Sequence, residues 1–372
     1  MVQRKKVKGH DIAVIFGDFA PMHLGHVFAV HSAKRQHDGA VVVVSGRTGD
    51  QGSLVDLPLQ KRFRYIREIF ADDPLVAVGM LDESKSLATT SNFADWLDEL
   101  EQVVKAETVE TEVALTLYVG DDNSKQEILQ IHPNWQVEKI DQTTIPISST
   151  KIREHPMENW NYITQPFHRH FTKKVLLAGA ASTGKTTLGQ DLARTFHAPL
   201  SLEYAREYQD KYNVTDDELT VRDYTYLLTE QYRQTADLIE GESNHGLVIA
   251  DTNSTVTMAY IEYYLKNEIA KEDYAMLKNL YESIVTKEEW DLILFTLPGN
   301  EYVDDGFRDM SMNSAKIRGE FTQLVLNLLK EAGFADKIII LSNQTGNNMY
   351  YENYLQSIES FKEKLDIIVG QM

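Results

Sequence analysis

The sequence predicts an α/β protein made of two doubly wound parallel-sheet domains. Three observations predict it. Apolar runs of strand length alternate with longer amphipathic stretches through both halves, which is the rhythm of βαβ units. In each half an early strand runs straight into a glycine-bearing turn. The length, 372 residues, exceeds one ordinary domain and suits two.

In the first half the strand-length runs are Ile12–Phe16, Ala40–Ser45, Leu75–Val78 and Leu115–Val119. Helical periodicity occupies Leu57–Phe70 and Asn92–Val104. In the second half strands are expected at Lys174–Ala178, Leu200–Leu202, Gly246–Ala250, Leu292–Thr296 and Lys337–Leu341. Helices fit Gly184–Phe196, Val221–Gly241, Ser254–Leu265, Tyr274–Ser283, Ser314–Glu331 and Tyr350–Leu365. The join falls within His155–Thr172, where Pro156, Pro166 and mixed aromatics break periodicity. Domains of 1–160 and 170–372 follow.

Composition narrows the function. Hydrophobic residues make up 42% and charged residues 25%, the proportions of a folded globular chain. A formal net charge of -19 repels polyphosphate backbones, so nucleic-acid binding is not expected. It also makes any cluster of cations informative. With 0 cysteines, disulfides and thiolate metal sites are excluded, which fits a reducing cytoplasm. The basic start at Met1–Lys6 has no apolar segment behind it, so no signal peptide is expected. No apolar run approaches the ~20 residues of a membrane span.

Gly179-Ala180-Ala181-Ser182-Thr183-Gly184-Lys185-Thr186 fits G-x-x-x-x-G-K-[ST] in full, between a strand and an amphipathic helix. Such a loop turns successive backbone N–H groups toward an anion, and the helix N-terminus adds its dipole. Lys185 then serves the β- and γ-phosphates and Thr186 a Mg²⁺ ion, with Thr187 close behind. Leu247–Asp251 is an apolar strand ending in an acid, the form of a carboxylate beside that metal. A strand-end Asp is also a common turn former. Glu203-Tyr204-Ala205-Arg206-Glu207 offers either a proton acceptor or an ordinary acidic helix start. Asp304-Asp305-Gly306-Phe307-Arg308, with Lys316 and Arg318 beyond, reads as a cationic lid or as a solvated loop.

In the first half, Gly17-Asp18-Phe19-Ala20-Pro21-Met22-His23-Leu24-Gly25-His26 follows the first strand directly. His23 and His26 share a face if a helix begins there, and two imidazoles at a helix N-terminus suit a phosphate. A metal pair is the competing reading, and it needs further ligands. Ile147-Ser148-Ser149-Thr150-Lys151-Ile152-Arg153 places hydroxyls before two cations at a helix start. Cations there oppose the dipole unless an anion is bound; an ordinary Ser/Thr cap is the alternative.

The two first-half motifs resemble those of the nucleotidyltransferase superfamily, G-x-F-x-P-x-H-x-G-H with a later S-S/T-x-x-R-type run. Together with the phosphate loop behind them, the chain resembles the NadR-type bifunctional family. The resemblance implies a Rossmann-like nucleotidyltransferase followed by a P-loop kinase. It rests further on the T-K-I-R form at Thr150–Arg153, on Glu203-Tyr204-x-Arg206-Glu207, on Asp251-Thr252 and on Val303–Arg308. It covers essentially the whole chain. It implies phosphorylation of nicotinamide riboside to nicotinamide mononucleotide (NMN), and adenylylation of NMN to NAD, with ATP as substrate at both sites and Mg²⁺ as cofactor. It also implies small-molecule partners and a homo-oligomer.

Carried over by position, His23, His26 and Arg153 would hold the phosphates of the first site. Gly17, Phe19, Arg47, Ser148, Ser149 and Thr150 would complete its nucleotide contacts, and Trp96 would stack on nicotinamide. In the second site Gly179, Ser182, Thr183, Gly184, Lys185, Thr186 and Thr187 would bind nucleotide, and Thr186 with Asp251 would bind Mg²⁺. Glu203 would act as base and Arg308 as lid cation, while Tyr204, Arg206 and Asp251 would contact the riboside. Two departures stand out. Enteric members carry an N-terminal helix-turn-helix, for which Ile12 leaves no room, so a DNA-binding role is not expected. Asn253 stands where the family's D-T-D stretch has its second acid. Rival readings are a pantetheine-phosphate adenylyltransferase joined to a dephospho-coenzyme A kinase, a sulfurylase–adenylylsulfate kinase fusion, and a nucleotide-sensing regulator.

Overall fold

The computed structural model describes residues 5–86, 92–299, 301–304, 306–341 and 349–370. The chain divides into two compact units, Met1–Phe171 and Thr172–Met372. Each is one parallel five-stranded sheet with helices on both faces.

The first sheet has the order β3-β2-β1-β4-β5. Its strands are β1 (Asp11–Gly17), β2 (Gly39–Gly46), β3 (Val76–Asp82), β4 (Ala114–Val119) and β5 (Gln136–Lys139). Side chains alternate between faces, so one strand feeds two cores. Ala13 and Ile15 pack with Val42 and Val44 on one side; Ile12 and Val14 pack with Val41 and Val43 on the other. β1 lies between β2 and β4, where the chain order reverses. In an open α/β sheet ligands bind at that crevice, outside the carboxyl ends of the strands.

The second sheet has the order β10-β9-β6-β8-β7. It comprises β6 (Lys173–Ala178), β7 (Leu200–Ser201), β8 (Leu247–Asp251), β9 (Leu292–Phe295) and β10 (Ile338–Ile340). The same alternation puts Leu176 and Ala178 in one core and Val175 and Leu177 in the other. Parallel pairing of β6 with β8 sets Leu177 opposite Asp251, so the phosphate loop and the strand-end acid emerge side by side.

Among the elements outside the sequence expectations are a strand and a helix of the first unit. β5 has one buried residue in four, too little for an apolar run to show. The helix Asp122–Ile131 buries only Ile128. No helix among the described residues is long and apolar enough to cross a membrane.

Candidate active sites

In the second unit the loop after β6 needs its glycine. Gly179 has φ +143, and a Cβ there would lie 2.5 Å from the Thr296 carbonyl oxygen. Lys185 opens the helix Lys185–Thr195, and its Nζ donates to the Ala180 carbonyl at 2.8 Å, inside the curl of the loop. Burial draws its ammonium below the usual pKa, while Asp251 and Glu203 pull it back. Thr186 Oγ1 donates to Asp251 Oδ2. Asp251 is 1% exposed, and its Oδ1 has no hydrogen-bond partner. Burial raises its carboxyl above the usual range, against the pull of Lys185. Thr183 holds the loop in shape, since its buried hydroxyl donates to the Ala180 carbonyl and bonds Thr296 Oγ1 at 2.6 Å.

This loop lines a cavity of about 260 Å³ together with Thr187, Glu203, Arg206 and Arg308. Ser182 Oγ accepts from Arg308 Nη1 at 2.7 Å and from the Val303 N–H at 3.0 Å, which lays the 301–308 segment on the loop. Asp305 lies outside the described residues. Arg206 Nε sits 3.4 Å from Glu203 Oε2.

A second, smaller cavity abuts the first. Glu203, Val256 and Tyr260 belong to the walls of both. Its other walls include Asp216, Tyr224, Gln231 and Thr252. Tyr224 and Thr252 are buried, and neither hydroxyl has a hydrogen-bond partner. Thr252 also holds φ +92, a conformation costing a β-branched residue about 1–3 kcal/mol. Strain and two orphaned hydroxyls at one wall mark a place shaped for a polar ligand. Tyr204 lines neither cavity; its N–H donates to Gln231 Oε1 at 2.8 Å, and Ala205 lines the smaller cavity in its place. Sequence reasoning does not reach Asp216, Thr252, Tyr224 and Tyr260 as wall residues, because lone residues on separate elements carry no spacing signal.

In the first unit His23 is the N-cap of the helix Leu24–Lys34. Its ring stacks on His26 with centroids 3.7 Å apart, and His26 Nδ1 accepts from the His23 N–H at 3.4 Å. Burial pulls His23 down to about 4. Burial, then His23 itself, pulls His26 well below its ordinary value. Both rings are therefore neutral at pH 7. A Cβ on Gly25 would sit 3.1 Å from the His23 ring and 3.2 Å from the Ile145 carbonyl, so a side chain there would crowd the histidine turn by a few tenths of an ångström.

These residues line a cavity of about 490 Å³ with Gly17, Phe19, Ser148 and Ser149. Phe19 holds φ +46 and meets His26 edge-on, centroids 5.0 Å apart. The second motif braces the first: Ser149 Oγ donates to the Pro21 carbonyl at 2.9 Å, and Ser148 caps the helix Ser149–Glu154.

Several expected contacts are placed elsewhere. Arg153 does not line the cavity; it donates to the Ala20 carbonyl at 2.6 Å and to Thr150 Oγ1 at 3.0 Å. Lys151 is the cation that does line it. The helix has only six residues, so both cations also fall in its last turn and the expected clash with the dipole is weak. Thr150, Arg47 and Trp96 are absent from the lining. Arg47 is exposed. Trp96 packs edge-on against Phe16 and donates to Glu83 Oε1 at 3.2 Å.

Arg62 is a further residue that the sequence does not announce. Fully buried, it donates to the carbonyls of Leu57, Ser45 and Asp18 and pairs with Asp50. It ties the loop after β2 to the histidine turn. A single arginine in an amphipathic helix gives no sequence sign of such a role.

The folds and cavities define a class: a nucleotidyltransferase-type α/β unit followed by a P-loop unit in one chain. Residues 14–155 match the cytidylyltransferase-like family and residues 174–346 the AAA domain family. A crystal structure of NadR protein in complex with NR is 37% identical, covers 98% of both chains and superposes with a TM-score of 0.85. Another, in complex with NAD and AMP-PNP, is 35% identical over 99% of both chains with a TM-score of 0.83. The trifunctional NAD biosynthesis/regulator protein NadR of Escherichia coli (strain K12) is 24% identical over 328 residues, 86% of this chain and 76% of that one. The chain belongs to the NadR family.

Proposed function

We propose that the chain is a bifunctional, cytoplasmic enzyme of NAD salvage, acting on small molecules at two ATP sites. The second unit would transfer the γ-phosphoryl group of ATP to the 5′-hydroxyl of nicotinamide riboside, giving NMN and ADP. The first would let the NMN phosphate attack the α-phosphorus of another ATP, giving NAD and pyrophosphate. The observation that carries the kinase reading is the wall shared by two cavities: Glu203 lines both a phosphate cradle and a smaller pocket, of about 20 Å³, that holds two unpartnered hydroxyls. A hydroxyl in the pocket would thus face a phosphoryl group in the cradle. Related NadR structures holding NR, and NAD with AMP-PNP, support the same pair of substrates.

In the second unit the loop amides and Lys185 orient the β- and γ-phosphates, and Arg308 neutralises charge on the transferring group. Glu203 accepts the hydroxyl proton as the O–P bond forms. Tyr224 and Thr252, whose hydroxyls have no partner, orient the riboside. The residues fit a Mg²⁺ ion: Asp251 keeps a buried, unpartnered oxygen beside the Thr186 hydroxyl, and magnesium takes few protein ligands with substrate oxygens. When bound, Mg²⁺ would neutralise charge on the β- and γ-phosphates.

In the first unit no protein nucleophile is required, because the attacking NMN phosphate is already an anion. His23, His26 and Lys151 hold the triphosphate at the end of β1. Arg153 acts through the turn, by fixing the Ala20 carbonyl and Thr150. Incubation with Mg-ATP and either nicotinamide riboside or dephospho-coenzyme A tests the assignment. Phosphorylation of the riboside alone is expected; phosphorylation of dephospho-coenzyme A alone would transfer the chain to the rival pair of activities, and turnover of neither would make it a sensor.

A further inference from the structure

The phosphate cavity of the second unit is lined by two arginines from different elements, Arg206 on the helix Tyr204–Tyr212 and Arg308 on the lid segment. Two buried side chains connect them. Gln209 is 0% exposed; its Oε1 accepts from Arg206 Nη1 at 3.3 Å, and its Nε2 donates to Asp216 Oδ1 at 2.8 Å. The other Asp216 oxygen accepts from the Asp309 N–H at 3.3 Å, while the Asp216 N–H donates to the Phe307 carbonyl at 3.0 Å. Asp216 therefore grips the lid on both sides of Arg308, whose guanidinium rests on Ser182 of the phosphate loop.

We propose that Gln209 and Asp216 form a buried crossbeam that positions both arginines over the phosphates, making them positioning residues for phosphoryl transfer. The directions of the hydrogen bonds fit this pairing. A lid N–H needs an acceptor, so position 216 presents an oxygen. A guanidinium also needs an acceptor, so the Gln209 amide turns its oxygen to Arg206 and its NH₂ to Asp216. The carboxylate completes an arrangement in which each of these donors meets an acceptor. Asp216 also belongs to the wall of the smaller cavity. The same carboxylate thus touches the acceptor pocket and the phosphate lid, so an occupant of one is felt at the other.

The chain of donors gives a specific test. In Asp216→Asn the new NH₂ faces the Gln209 NH₂. If Gln209 turns over to meet it, its NH₂ faces Arg206 instead, so one link breaks either way. Adding Gln209→Glu supplies the missing acceptor. The introduced carboxylate would receive both Arg206 and the amide now at position 216, and the oxygen of that amide would still receive the lid N–H. Net charge is unchanged in that double variant. Affinity for a non-hydrolysable ATP analogue, measured by calorimetry without riboside, is expected to fall about tenfold in Asp216→Asn and to recover in the double variant. The kcat for riboside phosphorylation should fall about 10- to 100-fold and recover in parallel, with KM for the riboside less affected. Equal thermal midpoints would show that the variants are folded. Analogue binding within twofold of wild type in the single variant would overturn the proposal, as would a folded double variant with no recovery. The kinetic readout alone rests on the riboside reading. If the wild type fails to phosphorylate riboside while analogue binding falls and recovers, that reading fails and the crossbeam stands.

Discussion

Lys185 and His26 each line one cavity, in separate units, and neither lines the other. Lys185→Ala should lower riboside phosphorylation by about 10³-fold, because the cradle loses the cation at its centre, and leave adenylylation of NMN nearly unchanged. His26→Ala should do the reverse, by about 10²-fold, when both reactions are assayed on each variant. His23 adds a pH effect. Its folded pKa of about 4 lies below the ordinary 6.5, so between these values the unfolded chain binds more protons than the folded one. Stability from the neutral ring is complete above that window and is lost as pH falls through it. The urea midpoint of the first unit should therefore drop between about pH 7 and pH 5, and His23→Gln should flatten the drop. At this scale the sequence was legible where residues sit close together in a motif. Gly179, Ser182, Thr183, Gly184, Lys185 and Thr186 line one cavity, and His23 and His26 the other. Arg153, Thr150, Arg47, Trp96, Tyr204 and Asp251 do not, because spacing says which residues neighbour one another but not which way a side chain turns. Arg153 turns inward to a carbonyl, and Lys151 lines the cavity instead.

The turn after β8 shows how an element accounts for a departure in sequence. Asn253 caps the helix Ser254–Tyr264, and its Nδ2 donates to Glu288 Oε2 at 2.6 Å. Glu288 is buried and also accepts from the Ser254 N–H at 3.1 Å and from Trp290 Nε1 at 3.4 Å. An acid at 253 would cap the helix equally well but would set a second carboxylate against a buried one. Asn253→Asp should therefore destabilise the second unit by about 3 kcal/mol, and Asn253→Asp with Glu288→Gln should recover most of it, read from thermal unfolding. The amide here is a hydrogen-bond partner for the buried Glu288. Strands β1, β2, β6, β8 and β9 were legible because the centre of each is buried on both faces and is an apolar run. β5 was not, since an edge strand with three exposed residues looks like a loop. The helix Tyr204–Tyr212 was legible only as one alternative, an acidic helix start, because it buries only Tyr208 and Gln209.

Across the whole molecule, an acidic chain concentrates cations where strands end. Lys151 lies at one cavity, and Lys185, Arg206 and Arg308 lie at the other, against a net charge of -19. Local amides and clustered cations can hold a phosphate against the global field because salt screens the distant charges more than the near ones. Each unit has its own pair of cores, so damage to one reaction should leave the other working. The most direct test of two phosphate sites acting in series is the product formed from nicotinamide riboside with excess Mg-ATP. Wild type should yield NAD by way of transient NMN, His26→Ala should stop at NMN, and Lys185→Ala should make NAD only when NMN is supplied. NAD from riboside in Lys185→Ala, or loss of both reactions in either folded variant, would contradict the account.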